Sequence, residues 1–142
     1  MVKAASQPRD RTMPECVLVV EDDTVLALSM EQTLIEAGVK SVYSCASTEE
    51  AVNHLREKRP DAVIIDIHLA DADDGYVIAE IVSLLSPRSP RIVFSTGSPK
   101  EIPASVAKLG KILEKPYQPE DLLAAIEGKP KGILKRLISS SN

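Results

Sequence analysis

The sequence predicts a doubly wound α/β fold, a five-stranded parallel sheet covered on both faces by five helices. Three observations carry this. Short apolar runs alternate five times with segments of helical periodicity, the order that builds repeated βα units. The runs are apolar at consecutive rather than alternate positions, which is the pattern of strands buried on both faces. Gly and Pro punctuate the joints, and no internal repeat or low-complexity block competes with the reading.

The elements follow in order. CVLVV (Cys16–Val20) is a β-branched run ending in acids and reads as the first strand. From Asp23 or Thr24 to Ala37, Val25, Leu28, Leu34 and Ile35 recur at helical spacing, and Gly38 supplies the stop. VKSVYSC (Val39–Cys45) is the second strand. Ser47 or Thr48, with Glu49 and Glu50 behind it, starts a helix through Ala51, Val52 and Leu55 that ends before Pro60. His54 on that helix is expected at the surface. AVIID (Ala62–Asp66) is the third strand and GYVIAEIVSLL the third helix, with Asp74 as its expected N-cap. RIVFS (Arg91–Ser95) is the fourth strand. Pro99 and Pro103 then leave room only for a short or irregular helix. Lys111–Leu113 is a brief fifth strand, and Pro119, in a first helical turn, introduces EDLLAAIEG with Gly128 just past its end.

The bulk numbers agree with one globular domain. The chain has 142 residues, 44% of them apolar and 27% charged, enough to bury a core without staples. No apolar run approaches the roughly 20 residues a membrane helix needs, and MVKAASQPRDRTMPE carries charges where a signal peptide would be apolar. A cytoplasmic location is the expectation. Cys16 and Cys45 have no metal-ligand spacing and read as free thiols. Residues 16–127 hold 19 acids and 10 bases, a net of −9, whereas no acid follows Glu127 and Lys129, Lys131, Lys135 and Arg136 do. The chain is thus divided into a tail (1–15), an acidic domain (16–127) and a basic tail (128–142). Four charges without interleaved aromatics are a poor nucleic-acid signal. The basic tail reads as solvated, with one amphipathic turn at Ile133, Leu134, Leu137 and Ile138.

In a doubly wound sheet, ligands bind outside the carboxyl ends of the strands. Those ends carry Glu21, Asp22 and Asp23; Asp66; Ser95, Thr96 and Gly97; and Glu114, Lys115 and Pro116. Two carboxylates about 4 Å apart repel by roughly 4 kcal/mol at an effective dielectric near 20. Glu21, Asp22 and Asp66 therefore call for a hard divalent cation, and Mg²⁺ favours oxygen ligands completed by water and phosphate. Lys115 adds a point charge suited to a phosphoryl oxygen and Thr96 a hydroxyl donor. These are the parts for moving a phosphoryl group onto a carboxylate.

VLVVEDD, VIIDIHL, FSTG and LEKPY, in that order on those strand ends, resemble the receiver domain of bacterial two-component response regulators, the flavodoxin-like or CheY-like fold, over residues 16–127. The resemblance implies that Asp66 is the phosphoacceptor, Asp22 a direct Mg²⁺ ligand, Glu21 an acidic partner acting largely through water, and the His68 carbonyl a further ligand. It implies that Thr96 and Lys115 bind phosphoryl oxygens, helped by the Ile67 and Gly97 N–H groups, with a cis bond before Pro116. FSTG followed by prolines is similar to the stand-alone receivers called the FATGUY group, with Ser95 where that group has alanine. Ile112 stands where ordinary receivers carry the aromatic that moves with the threonine. Two residues past Asp66, His68 reads from its place as a solvated loop residue, whereas the resemblance, in which side chains at that offset face the site, implies a ring over the phosphoryl group that tunes hydrolysis. The implied partners are a sensor histidine kinase and a downstream protein, with no room for a DNA-binding domain, no membrane contact, and no catalysis beyond the chain's own phosphorylation and dephosphorylation.

Other readings fit less well. A calcium loop starting at Asp71 would need glycine and glutamate where Tyr76 and Val82 stand. A haloacid-dehalogenase-type, Mg²⁺-dependent phosphatase needs a second acid where His68 stands. No G-x-G-x-x-G or P-loop occurs for nucleotide binding. A phosphorylation-independent pseudo-receiver is opposed by the intact set of Glu21, Asp22, Asp66, Thr96 and Lys115.

Overall fold

The computed structural model describes residues 12–68, 75–85 and 89–128. Asp71, Asp73 and Asp74, with the expected N-cap, lie outside the described residues, as do the first eleven residues and the basic tail beyond Gly128. The strands are β1 (Cys16–Val20), β2 (Ser41–Cys45), β3 (Ala62–Asp66), β4 (Arg91–Thr96) and β5 (Lys111–Glu114). The helices are α1 (Thr24–Glu36), α2 (Thr48–Lys58), α3 (Gly75–Ser83), α4 (Ala104–Ala107) and α5 (Pro119–Ile126). The segment with two prolines forms a 3₁₀ turn over Pro99–Glu101 before the four-residue α4.

All strand pairs are parallel in the order β2-β1-β3-β4-β5. The chain steps outward from β1 to β2 and then back past β1 to β3, so a crevice opens between the carboxyl ends of β1 and β3. Two core layers sandwich the sheet. One face carries Leu18, Val20, Val63, Ile65 and Phe94 against Leu55, Ile78, Val82 and Val106 from α2, α3 and α4. The other carries Val17, Val19, Ile64, Val93 and Leu113 against Met30 and Leu34 of α1 and Leu122 and Ile126 of α5. That is why β3 is buried at every residue, while β5 at the edge buries only Leu113. Among the described residues, no helix is long and apolar enough to cross a membrane.

Capping follows the sequence. Asp23 caps α1 by accepting from the Leu26 N–H, and Ser47 caps α2 by accepting from the Glu50 N–H. Gly38, at φ +106°, takes the left-handed turn that ends α1. His54 departs from expectation: it is half-buried and its ring stacks on Tyr43 with centroids 5.8 Å apart. Helix α2 lies along the β2 edge, so a residue at that position meets the strand's tyrosine.

Candidate functional site

The site forms where β1 and β3, neighbours at the centre of the sheet, end together. Glu21 leaves β1 with its N–H donating to the Cys45 carbonyl at 2.9 Å, which prolongs the β1–β2 ladder by one step and carries the carboxylate inward. Asp66 is the last residue of β3, and both side chains are buried. Asp22 is half-buried beside them. One oxygen from each of the three carboxylates lies within 4.8 Å of the others. Gly75, at the start of α3, lets that helix close on the strand end. A Cβ there would sit 2.7 Å from the Asp66 carbonyl oxygen.

Lys115 enters from β5. Its N–H donates to the Thr96 carbonyl at 2.8 Å, and a cis peptide bond precedes Pro116. The ammonium Nζ bridges two carboxylates, 3.5 Å from Asp66 Oδ1 and 3.7 Å from Glu21 Oε1. Asp66 Oδ1 also accepts from the His68 N–H at 3.2 Å, and Glu21 Oε2 accepts from the Asp23 N–H at 3.1 Å. Burial pushes the Glu21 carboxyl up from 4.5 to about 7. The Asp23 N–H opposes that rise, the Asp66 charge adds to it, and Lys115 opposes it again. Glu21 Oε1 is buried with no hydrogen-bond donor.

Three carboxylates against one ammonium leave two formal negative charges in a half-buried space, with an orphaned carboxylate oxygen facing it. A hard divalent cation fits this set of donors: it prefers carboxylate oxygens and removes the charge that burial penalises.

The model for the response regulator receiver domain matches residues 17–127. The chain belongs to the response regulator receiver family. Among curated proteins, this receiver is similar to the transcriptional regulatory protein PdtaR of Mycobacterium tuberculosis, 28% identical over 120 residues, 83% of this chain and 58% of PdtaR. It is also similar to the chemotaxis protein CheY of Thermotoga maritima, 26% identical over 80% of this chain and 96% of CheY. Among solved structures, the chemotaxis response regulator CheY4 of Vibrio cholerae superposes with a TM-score of 0.67, 26% identity, and coverage of 89% of this chain and 99% of CheY4. The receiver therefore spans little more than half the length of PdtaR.

The residues singled out in the sequence of this receiver sort into those the fold gathers and those it uses otherwise. Glu21, Asp22, Asp66 and Lys115 meet. Thr96 ends β4, the strand beside β3, with its hydroxyl buried and accepting from the Ser98 N–H at 2.9 Å. Gly97 faces open space, since a Cβ there would meet nothing within 4 Å. The Ile67 N–H is a correction: it donates to the Ser95 carbonyl at 3.2 Å, continuing the β3–β4 ladder, and so is not a free donor. The amide that reaches Asp66 is that of His68. The His68 ring is exposed and leans toward Glu101, with Nε2 3.8 Å from its Oε1. Tyr117 was not marked by the sequence: its hydroxyl is buried near the same carboxylates. Its place two residues past Lys115 was the one available signal.

Proposed function

We propose that this chain is a phosphoacceptor, taking a phosphoryl group from the phosphohistidine of a sensor histidine kinase onto Asp66 and signalling by contact with a downstream protein. The observation that carries the reading is the bridging of Asp66 and Glu21 by Lys115 beside Asp22. This supports a reading in which Asp66 is the nucleophile, the three carboxylates form the cation site and the Lys115 ammonium binds the phosphoryl group, all in one pocket. A free Asp66 oxygen attacks phosphorus, the P–N bond to the imidazole breaks, and the departing nitrogen keeps the electron pair. His68 N–H on Asp66 Oδ1 leaves the other carboxylate oxygen, Oδ2, to attack.

Glu21, Asp22, Asp66 and the His68 carbonyl would hold Mg²⁺, which when bound supplies charge neutralisation for the transferring oxygens. Lys115 and the Thr96 hydroxyl bind those oxygens, and the Gly97 N–H, on the open side of the strand end, joins them. Asp66, at 5% exposed, keeps the acyl phosphate away from most of the bulk water. The receivers similar to this chain include PdtaR, a transcriptional regulator by name, and CheY, a chemotaxis protein by name. Either kind of output is reached through a protein or domain outside residues 16–127.

Incubation with acetyl phosphate and Mg²⁺ followed by intact mass tests the proposal. The wild type is expected to gain one phosphoryl group and Asp66→Ala none. Equal masses with and without the donor, in a protein shown to be folded, would favour a receiver that works without phosphate.

A further inference from the structure

Helix α1 shows solvent more apolar surface than its two-sided role in the core requires. Among the described residues seven large apolar side chains are exposed, and three of them sit on this one helix: Val25 at 77%, Leu28 at 59% and Ile35 at 53%. Their spacing of three and then seven puts them on one side of α1, opposite Met30 and Leu34, which enter the core. Glu31 and Glu36 border that side, and α1 carries no base. An apolar patch with a charged border marks a contact surface.

The chain supplies a complement to this surface. KPKGILKRLISSSN, which follows Gly128 and lies outside the described residues, holds four apolar residues in one short run, Ile133, Leu134, Leu137 and Ile138, among four bases and no acid. Its point of departure is fixed. The Gly128 N–H donates to the Thr12 carbonyl at 2.7 Å, and a Cβ on Gly128 would meet the guanidinium of Arg91, the first residue of β4. Gly128 is therefore at the amino end of the sheet. So is Ile35, because α1 runs down to the turn that starts β2. Helices α1 and α5 pack side by side, sharing a core layer through Leu34 and Ile126. Packed helices stand about 8–10 Å apart, whereas five residue steps from Gly128 to Ile133 span up to about 17 Å, so the apolar run reaches α1. A segment on so short a tether meets the face at a local concentration of about millimolar, which favours it over a separate partner. We propose that the chain's own basic tail covers this face, its apolar run on Val25, Leu28 and Ile35 and its Lys135 and Arg136 charges toward Glu31 and Glu36. The contact is independent of the phosphoacceptor reading.

Methyl-labelled NMR of the full chain tests it, using the wild type, the tail double variant Leu134→Asp with Leu137→Asp, and Leu28→Asp on the helix, each checked by thermal melting. The tail variant alters no residue of either core layer, so it keeps the test open even if Leu28→Asp melts early. In the wild type, nuclear Overhauser contacts are expected between methyl groups of the tail and those of Val25, Leu28 and Ile35. The tail variant should lose them and shift the Val25 and Ile35 signals while Val77 and Ile112, exposed elsewhere, stay in place. Leu28→Asp should in turn shift Ile133 and Ile138. Unmoved Val25 and Ile35 signals in the tail variant overturn the proposal, and shifts centred on Ile112 overturn it by placing the tail on β5. Wild-type Val25 and Ile35 signals that move on dilution also overturn it, because the face then belongs to a second copy of the chain.

Discussion

Glu21 offers the sharpest quantitative test, because its carboxyl is pushed from 4.5 to about 7 mainly by burial. The folded protein keeps a proton on Glu21 where the unfolded chain has already released it. Between those two values the native state therefore binds more protons than the unfolded state, and stability falls as pH rises. The penalty is absent below about 4.5 and complete above about 7. At about 1.4 kcal/mol per pH unit the full interval amounts to roughly 3 kcal/mol, on the order of 10 °C in melting temperature for a domain of this size. Glu21→Gln keeps the side-chain oxygen that accepts from Asp23 and removes the titration. In EDTA, wild type and Glu21→Gln should melt alike near pH 4.5 and diverge until the variant is more stable by up to that amount at pH 8. Contributions from groups remote from Glu21 are common to both proteins and cancel in the difference. Adding Mg²⁺ at pH 8 should raise the wild type far more than the variant. A difference between the two that does not change with pH, or one in which the variant is the weaker at pH 8 in EDTA, would refute the argument that burial of an ionised Glu21 destabilises the pocket.

Three further outcomes follow from the geometry. Gly75→Ala puts a Cβ 2.7 Å from the Asp66 carbonyl oxygen and 2.9 Å from Ile67 Cα, both backbone atoms. It should cost about 1–3 kcal/mol in urea unfolding, as overpacking does, and slow labelling by acetyl phosphate; a more stable variant would contradict the close approach. Lys115→Met removes the ammonium 3.5 Å from Asp66 and 3.7 Å from Glu21. Calorimetry should show tighter Mg²⁺ binding, since the pocket becomes more negative, while intact mass shows slower labelling; a loss of both would mean that the lysine only supports the fold. Cys45 is 8% exposed, and burial pushes its thiol up to about 12. At pH 8 its thiolate fraction is on the order of 10⁻⁴, so iodoacetamide should leave Cys45 unmodified in the native protein and modify it in urea, as read by peptide mass.

The strands at the sheet centre were legible because burial on both faces writes itself as consecutive apolar residues. Asp66 was legible because a lone carboxylate ends such a run. The edges were less so. Strand β4 runs on to Thr96 and β5 to Glu114 because these two residues pair with each other, a fact about neighbouring strands and not about either residue. Strand β2 starts at Ser41 and not at Val39, since the Val39 N–H is spent on the Leu34 carbonyl in the turn that closes α1. The Ile67 amide was misjudged for the same reason: its donor goes to the Ser95 carbonyl of the adjacent strand. The site's carboxylates and lysine could be named from strand ends alone. Tyr117 could not, because its burial is set by packing against the core layer that holds Val19 and Leu113, which its place in the sequence does not show.

The placement of Lys115 ties the cation and the phosphoryl group to one another. Its ammonium sits between Asp66 and Glu21, near both and within ideal hydrogen-bond distance of neither. A phosphoryl group on Asp66 replaces a single negative charge with nearly two, so the ammonium is drawn toward it. That movement takes positive charge away from Glu21, a buried carboxylate that is already reluctant to ionise. It becomes favourable only when another cation compensates Glu21 and Asp22. On the proposed reading, Mg²⁺ binding and phosphoryl capture are therefore positively coupled through a single lysine. The coupling is reciprocal: a phosphorylated Asp66 must hold Mg²⁺ more tightly by the factor by which Mg²⁺ favours phosphorylation.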